Sequence, residues 1–319
     1  FGYHLPGLFD RVIDIEKCYL QQEPSNAIRL FIKDFTLEHK LSYYNVRAHE
    51  GLMRNVVIRC NGKGEFMVIV VINEENDLVR NVMIPELQKR FPEIISIMLV
   101  INNKFNDIIT DLPFENVYGE ECLIETMKAP REGHDDLKFR VGPVSFFQTN
   151  VYQGERLYKA AFDLADVQGD ELMYDLYTGT GTIALYFARF VKKVVGVEYV
   201  EEAIADAKIN SEFNNINNVK FYAGDMAKVF TDEFIESNGR PDLVVTDPPR
   251  AGMHEKVVEQ LLKIQPKKIV YISCNPATQA RDLQLLDSLY EVKAVQPVDM
   301  FPHTHHVENI VLLELKVEN

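Results

Sequence analysis

The first 138 residues combine two kinds of hydrophobic pattern, one extended and one helical. Residues 55–60 and 65–72 are rich in apolar and β-branched side chains, and the turn-type sequence Asn61-Gly62-Lys63-Gly64 between them predicts a β-hairpin. After Pro24, apolar residues recur at helical spacing up to Phe35, which predicts a helix. The remaining predicted elements are a helix over 85–91, a strand over 94–101 and further strands up to residue 127. This order of helices and antiparallel strands predicts an α+β layer structure.

The pattern changes after residue 138. A predicted hairpin over 139–150 leads into a helix over 151–166, and from Glu171 short apolar strands alternate with helices. Such alternation is typical of a parallel sheet with crossover helices. We therefore predict an α/β fold, with a Rossmann-like domain of mostly parallel strands over 139–319, preceded by a smaller α+β domain over 1–138.

Composition and charge exclude several classes of protein. The chain has 319 residues and a formal net charge of -14, which argues against a surface that attracts nucleic acid everywhere, although a local basic face remains compatible with it. The longest apolar runs, 66–72 and 94–101, are too short to span a bilayer. The four cysteines lie far apart, which indicates neither a disulfide framework nor a zinc site. We expect a cytoplasmic protein without membrane association, and no obligate protein partner is evident.

A glycine-rich turn follows the first predicted strand of the second domain. Gly179 and Gly181 would let the backbone pass close to a ligand, and Glu198, which ends the next strand, can accept hydrogen bonds from ribose hydroxyls. Asp225 ends the third strand and is well placed to contact an adenine. The turn also satisfies a dinucleotide fingerprint, so by itself it does not separate NAD from an adenosyl ligand. Ligands of such sheets bind beyond the carboxyl ends of the strands. The strand ends expected to meet in one crevice are those at 178–182, 198, 225, 247 and 274.

Cys274 lies where a predicted strand ends and a predicted helix begins. Residues 269–273 are mostly β-branched or aromatic, Asn275 is a good helix N-cap, and Pro276 is favoured at the first helical position. The partial positive charge of a helix N-terminus favours a thiolate over a thiol. Cys274 is therefore a candidate nucleophile, although a single cysteine is also typical of a buried core.

Glu308 comes just before the last apolar strand, residues 310–315. A carboxylate at the edge of a buried sheet can have a raised pKa and act as a general base, and an ordinary acid at a strand end is the alternative interpretation. His303, His305 and His306 lie nearby and are residue types of metal sites, but we predict no metal ligands.

Five segments, in order, resemble the RNA uracil-5-methyltransferases that use S-adenosylmethionine. They are Asp175-Leu-Tyr-Thr-Gly-Thr-Gly181, Val195-Gly-Val-Glu198, Asp247-Pro-Pro-Arg-Ala-Gly252, Ser273-Cys-Asn-Pro-Ala-Thr278 and the segment from Asp299 to Glu308. The resemblance runs in register over residues 139–315. It implies that the second domain is a methyltransferase domain, and the opening of the chain up to Cys18 looks similar to the family's middle domain.

The resemblance also implies a reaction and its residues. The Cys274 thiolate would attack C6 of a uracil, C5 would take the methyl group of S-adenosylmethionine, and Glu308 would remove the C5 proton. The base must be flipped out to reach the thiol, and the RNA would be 23S rRNA, with tRNA as the second choice. By the same resemblance, the residues that line the cofactor and uracil sites are Gln148, Tyr177, Thr182, Glu198, Asp225 and Asp247.

Two departures from the family pattern matter. Thr178 stands where the family usually has cysteine, at a position that is not the nucleophile. Cys18 resembles the last of four cysteines that hold a 4Fe-4S cluster in members that modify ribosomal RNA. We therefore hypothesise that this chain is a fragment of a longer enzyme, in which an N-terminal part supplies an RNA-binding barrel and, where the cluster exists, three more cysteines.

Two further alternatives come from other functional classes. An NAD-dependent oxidoreductase would account for the glycine-rich turn and Glu198, but it leaves Cys274 and Glu308 without roles. A non-catalytic RNA-binding protein would need neither residue.

Overall fold

The structure is a computed structural model that describes residues 1–317, apart from the side chain of residue 9. It divides into two compact units. The first comprises Phe1–Glu125 with Val141–Val144, and the second comprises Thr126–Arg140 with Ser145–Asn319. The division into domains 1–138 and 139–319 stays a prediction about independently folding parts, and its residues 318 and 319 lie outside the described part.

The first unit contains a hairpin, a mixed four-stranded sheet and two α-helices. The hairpin strands are β1 (Tyr3–Leu5) and β2 (Leu8–Ile13), and the sheet has the order β3-β4-β5-β6. Strands β4 and β5 are parallel, whereas β3 and β6 run antiparallel to their neighbours. The other bounds are α1 (Ser25–Glu38), β3 (Met53–Cys60), β4 (Phe66–Ile72), a π-helical turn (Val79–Met83), α2 (Ile84–Arg90), β5 (Ile94–Ile101) and β6 (Glu115–Gly119).

Burial explains why this sheet forms. Every residue of β4 is buried, as expected for a central strand made almost only of β-branched and apolar side chains. Ile28, Ile32 and Phe35 of α1 belong to the same core as alternate residues of β4. The β3–β4 turn is fixed by Asn61, whose side-chain oxygen accepts from the N–H groups of Lys63 and Glu65 at 3.1 and 3.0 Å. The predicted hairpin and α1 are confirmed.

The second unit is built on a seven-stranded sheet of order β11-β10-β9-β12-β13-β15-β14. The first five of these strands are parallel, and β15 is antiparallel to β13 and β14. The strand bounds are β9 (Leu172–Leu176), β10 (Lys193–Glu198), β11 (Val219–Ala223), β12 (Leu243–Thr246), β13 (Lys268–Ser273), β14 (Tyr290–Val298) and β15 (Glu308–Leu315). The predicted α/β fold with a mostly parallel sheet is confirmed.

Helices cover the connections of this sheet. They are α3 (Val151–Ala165), α4 (Thr182–Ala188), α5 (Glu201–Phe213), α6 (Met226–Val229), α7 (Asp232–Asn238), α8 (Glu255–Ile264) and α9 (Pro276–Leu286). The chain passes from one unit to the other through β7 (Leu123–Met127) and β8 (Leu137–Val141). No helix within residues 1–317 is long and apolar enough to cross a membrane.

Two sequence-based expectations differ from the structure. The hairpin predicted over 139–150 is wrong, because only its first strand exists, as the end of β8, and residues 142–150 form no strand. Pro143 lies two residues after the end of β8 and has no N–H to donate to a second strand. Glu308, expected just before the last strand, is instead the first residue of β15.

The burial of β4 gives a stability prediction. Val70→Ala should lower the free energy of unfolding of the first unit by about 2 kcal/mol, because it removes two fully buried methyl groups and leaves a cavity. Urea denaturation measures this change. The matched control is Val57→Ala on β3, a valine that is 37% exposed and should change little. Equal effects of the two substitutions would contradict the assignment of β4 as the core strand.

Candidate active site

The glycine-rich turn after β9 has an unusual backbone. Tyr177, Gly179 and Gly181 all adopt positive φ, at 65°, 55° and 80°. A tyrosine in this region is uncommon, and such residues cluster at ligand sites. A side chain added at Gly179 would meet no atom within 4 Å, so the backbone there borders open space. The turn can therefore take a ligand close to its main chain.

Glu198, at the end of β10, is fixed by three backbone groups. One carboxylate oxygen accepts from the N–H of Gly179 at 3.0 Å. The other accepts from the N–H groups of Tyr199 and Val200 at 2.8 and 3.0 Å. The oxygen that accepts from Gly179 keeps capacity for a further donor, because it has only one of its two acceptor sites in use. The two sequence-predicted parts of a ribose site, the turn and the acid, are thus in direct contact.

Asp175 and Thr178 stabilise the glycine-rich turn through hydrogen bonds. Asp175 is fully buried, and the Thr178 hydroxyl donates to its carboxylate. Burial raises the pKa of Asp175 to about 7. The Thr178 backbone N–H donates to the carbonyl of Val197 at 3.0 Å. A hydroxyl at position 178 therefore has a structural role that a thiol would fill less well.

Asp225 and Thr182 lie at the N-termini of short helices. Asp225 is half-buried and caps α6, where it accepts from the N–H of Ala227 at 3.0 Å. That backbone hydrogen bond lowers the pKa of Asp225. Thr182 is buried at the start of α4, 3.4 Å from the hydroxyl of Thr180. Asp225 therefore has a local capping role beside the predicted contact with an adenine.

Cys274 and Glu308 lie at the same end of neighbouring strands. Ser273 of β13 pairs with Asn309 of β15, so the next residue of β13, Cys274, lies opposite the preceding residue of β15, Glu308. Burial raises the pKa of Glu308 to about 7. Burial, and then the charges of Glu308 and Asp247, also raise the pKa of the Cys274 thiol. The thiolate expected from the helix N-terminus is therefore opposed by two carboxylates.

Arg250 acts against the rise in the pKa of the Cys274 thiol, and the sequence analysis missed this residue. Its guanidinium lowers the pKa of Cys274 by charge and by a side-chain hydrogen bond, and it lies 3.4 Å from Nδ1 of His306. The Arg250 carbonyl accepts from Asn275 and from Thr278, each at 3.1 Å. The start of α9 therefore fixes both Cys274 and the loop that carries Arg250. The only sequence signal was the arginine that replaces an aromatic residue after Asp247-Pro-Pro.

Asp247 follows β12 and is half-buried. Burial raises its pKa, and the nearby charges of Glu308 and Asp175 raise it further. Tyr158 of α3 is buried near the same carboxylates, and Gln148 hydrogen-bonds its hydroxyl. Gln148 packs against Gly154, where an added Cβ would approach the Gln148 Cβ to 2.9 Å. Tyr158 is a second residue that the sequence interpretation missed.

The buried side chain of Gln279 joins β13, which ends just before Cys274, to β15, which begins with Glu308. The Gln279 amide nitrogen donates to the carbonyls of Tyr271 and Asn309 at 2.9 and 3.1 Å, and its oxygen accepts from the Asn309 side chain at 2.7 Å. Asn150, which caps α3, donates to the carbonyl of Met300 at 2.7 Å and so fixes the loop before Glu308.

The remaining candidate ligands do not form a metal centre. His303 and His305 are exposed. Within residues 1–317, no three His, Cys, Asp or Glu side chains are arranged to hold a metal ion. Cys18 belongs to the first unit, where its backbone pairs with the Asn26 side chain. One thiol does not hold a 4Fe-4S cluster, so these residues alone do not fit that cofactor.

An S-adenosyl ligand does fit. The turn at Tyr177–Gly181 supplies main chain beside open space, and Glu198 supplies an acceptor for a hydroxyl. In doubly wound sheets, such an acid at the end of the second strand contacts a ribose.

Comparisons with known proteins agree with this geometry. Residues 124–316 match the family described as tRNA (Uracil-5-)-methyltransferase. The chain is 54% identical over 318 residues to an uncharacterized RNA methyltransferase of Bacteroides thetaiotaomicron, covering 99% of this chain and 68% of the relative. A similar relative from Porphyromonas gingivalis is 49% identical over 321 residues, with 99% and 68% covered.

One solved structure is similar over almost the whole chain. It is the Pyrococcus abyssi tRNA (uracil-54, C5)-methyltransferase in complex with S-adenosyl-L-homocysteine, with a TM-score of 0.77 and 33% sequence identity. The match covers 95% of this chain and 70% of that one.

The raised pKa of Asp175 predicts a pH-dependent stability. The native protein holds this proton up to about pH 7, whereas the unfolded chain releases it near pH 3.8, the ordinary pKa of an aspartate. Asp175 should therefore make the protein less stable as pH rises from 4 to 7, by at most about 1.4 kcal/mol per pH unit. Asp175→Asn should remove this slope in urea denaturation across that range. Asp287→Asn, at an exposed acid, is the control, and parallel profiles for wild type and Asp175→Asn would contradict the assignment.

Proposed function

The chain belongs to the tRNA (uracil-5-)-methyltransferase family and is an S-adenosylmethionine-dependent RNA methyltransferase, and from this we propose that it methylates C5 of a specific uridine through a covalent bond between Cys274 and C6. The observation that carries the proposal is the pairing of β13 with β15, which sets Cys274 opposite Glu308. Asp247 and Arg250 act on the same thiol. The NAD-dependent and non-catalytic alternatives do not agree with the family.

The reaction needs a nucleophile because C5 of uracil is unreactive by itself. Attack of the Cys274 sulfur on C6 forms an S–C6 bond and moves the electron pair of the C5–C6 double bond toward C5 and the O4 carbonyl. S-adenosylmethionine supplies an electrophilic methyl group, which C5 takes. Glu308 then accepts the C5 proton, the C5–C6 double bond re-forms, and the thiolate leaves. Counted from the Cys274 thiolate, whose thiol proton passes to solvent before the attack, the reaction ends with the 5-methylated uridine, S-adenosyl-L-homocysteine, the free thiolate and the C5 proton on Glu308.

The electrostatics of the free site agree with this sequence of steps. A thiol with a raised pKa stays protonated until the uracil of the RNA is bound. This protonation limits unwanted reactions of the sulfur. The Arg250 guanidinium, hydrogen-bonded to Cys274, supplies the positive charge that favours the thiolate. Glu308, with a pKa near 7, is about half ionised at neutral pH and is therefore matched to a general base.

The cofactor would be held at the edge formed by the glycine-rich turn and the next strands. We assign the ribose hydroxyls to Glu198 and the adenine to the neighbourhood of Asp225. Gly179 and Gly181 allow close approach of the main chain. Between the cofactor and the base we place a set of side chains around the Tyr158 hydroxyl and the end of β12. These are Gln148, Tyr177, Thr182 and Asp247.

The RNA target is proposed to be 23S rRNA. This choice rests on the resemblance of Cys18 and of the segment after Asp299 to members that modify ribosomal RNA. The alternative, tRNA, is supported by the 33% identical Pyrococcus enzyme, whose substrate is tRNA uracil-54. In either RNA the uracil must be flipped out of its stack to reach the half-buried thiol.

Two accessory proposals follow from the same resemblance. A 4Fe-4S cluster is proposed only for a protein in which three further cysteines join Cys18. The cytoplasm is the proposed compartment, because four cysteines far apart in sequence, which indicate no disulfide framework, and an RNA substrate suit a reducing, RNA-containing environment.

A mechanism-based trap tests the nucleophile. Incubation with S-adenosylmethionine and 5-fluorouridine-substituted RNA should give an adduct that survives denaturation, because fluorine at C5 does not leave as a proton does. Gel shift and mass spectrometry detect it, and Cys274→Ala should abolish it. Cys122→Ala is the control. Ribosomal and transfer RNA fragments run in parallel decide the target, and an adduct that persists in Cys274→Ala would disprove the assigned nucleophile.

Removal of the Glu308 carboxylate should separate methyl transfer to C5 from the later removal of the C5 proton. Glu308→Gln should lower the methylation rate by about 10²–10⁴-fold. It should also accumulate the methylated adduct on ordinary RNA, because the C5 proton stays in place. In the wild type, the rate should rise with pH through about 7 as Glu308 ionises. Glu314→Gln, at the far end of β15, is the control, and a variant that loses activity without accumulating adduct would contradict this role.

A further inference from the structure

A buried carboxylate of the second unit takes no part in the methyl-transfer steps described above. Asp282 lies in α9, the helix that begins just after Cys274, and its side chain is 1% exposed. A carboxylate at this depth is costly unless hydrogen bonds satisfy it. The groups that donate to Asp282 therefore show what the carboxylate holds in place.

Hydrogen bonds reach Asp282 from a strand, from a loop and from its own helix. One carboxylate oxygen accepts from the backbone N–H of Met253 at 2.8 Å and from the Tyr271 hydroxyl at 2.7 Å. The other accepts from Nε and Nη2 of Arg281 at 2.9 and 2.7 Å. Tyr271 belongs to β13, whereas Met253 lies between β12 and α8. The carboxylate therefore joins the strand that leads to Cys274 to the loop after β12.

This loop, residues 250–253, carries Arg250 and is called the Arg250 loop below. Nη2 of Arg281 donates to the carbonyls of Ala251 and Met253 in the loop, at 2.9 and 3.5 Å. The two hydrogen bonds to the Arg250 carbonyl, described above, come from the start of the same helix. Side chains from both turns of this part of α9 thus hold the main chain of the loop.

Gly252 shows how closely α9 approaches the Arg250 loop. It has a φ of 82°, a conformation that residues with a side chain rarely adopt. A Cβ at this position would lie 2.6 Å from Nη2 of Arg281 and 2.6 Å from a carboxylate oxygen of Asp282. The loop therefore fits against this ion pair with no space for a side chain, and the pair determines its conformation as well as its position.

The Arg250 loop in turn places a cation beside the thiol. The exposed Arg250 side chain hydrogen-bonds to Cys274 and lies 3.4 Å from Nδ1 of His306. The negative charges near the same thiol are Glu308 at the start of β15 and Asp247 just before the loop. Because an exposed arginine keeps much of its rotamer freedom, the position of its backbone decides how often the guanidinium meets the sulfur.

We propose that Asp282 is a positioning residue for the Cys274 thiolate: with Arg281 it holds the Arg250 loop, and the loop holds the guanidinium against the sulfur. The proposal rests on the proposed function, since that function uses the thiolate. Asp282 acts through Arg250 in this role and needs no contact with the uracil or the cofactor. By its own charge Asp282 disfavours a thiolate, whereas the cation that it positions favours one, so the two effects have opposite signs.

The reactivity of the thiol in the free protein tests this sign. Alkylation of Cys274 by iodoacetamide is followed by peptide mass spectrometry over a pH range of about 6 to 10, and the midpoint of the rate profile gives the thiol pKa. An amide has one acceptor oxygen and cannot serve both Met253 and Arg281. Asp282→Asn should therefore loosen the loop, raise the midpoint and lower the rate at neutral pH about threefold. A midpoint that falls or stays unchanged would overturn the proposal.

A double-mutant cycle tests whether Arg250 is the intermediary. Arg250→Gln alone should raise the midpoint at least as much as Asp282→Asn does. Adding Asp282→Asn to it should lower the rate by less than about twofold more, because the cation through which Asp282 acts has gone. Full additivity of the two losses would overturn the proposal. Asp287→Asn, at the exposed acid that ends the same helix, is the matched control and should keep the wild-type profile.

A second variant guards against misfolding of Asp282→Asn. Arg281→Lys keeps the charge of a side chain that is 53% exposed, so the thermal midpoint should be retained. A lysine ammonium cannot reproduce the planar fork that spans Asp282 and the two loop carbonyls. The alkylation rate at neutral pH should therefore fall about twofold. An unchanged rate would overturn the role of the pair.

The adduct with 5-fluorouridine-substituted RNA separates this proposal from the proposed function. Asp282→Asn should slow adduct formation at Cys274 about threefold or more. A wild-type adduct whose rate is the same in Asp282→Asn would overturn the positioning role and leave the proposed function intact. The expected change in alkylation without any wild-type adduct would support the action of Asp282 on the thiol and disprove the proposed function.

Discussion

The active site depends on the direction of one strand. β15 enters the sheet between β13 and β14 and is antiparallel to both, whereas β9 to β13 are parallel. Its first residue, Glu308, therefore lies at the edge where the parallel strands end, opposite Cys274. A parallel β15 would carry Glu308 to the other edge of the sheet. The buried amide of Gln279 holds this arrangement, because it bonds to the backbone of both strands and to the Asn309 side chain.

The proximity of Cys274, Glu308 and Asp247 has an electrostatic consequence. Burial raises the pKa of Glu308, and burial together with the neighbouring negative charges raises the pKa of Asp247 and of Cys274. Arg250 is the opposing charge, and its loop is fixed by Asn275 and Thr278 on the same helix that follows Cys274. One short segment thus sets the position of the proposed nucleophile, Cys274, and of the Arg250 guanidinium near it.

The parts of the site that could be predicted from the sequence were those encoded locally. Asn275 and Pro276 define a helix start within a few residues, and the structure shows Asn275 capping α9 as expected. The glycine-rich turn and Glu198 are likewise local. Gln279, Arg250 and Tyr158 were missed because the residues they interact with lie up to 150 residues away in sequence. The hairpin expected over 139–150 failed because its second half forms no strand: Val144 and Phe146 are exposed, and Phe147 contacts the ring of Phe139 in β8 through its side chain alone.

An unpaired buried polar group marks the proposed reaction site. Such groups are rare in folded proteins, and those that persist tend to mark functional places. In the second unit, Thr246 has a buried hydroxyl without a partner within the described residues, and it directly precedes Asp247, which lies after β12 at the proposed reaction site.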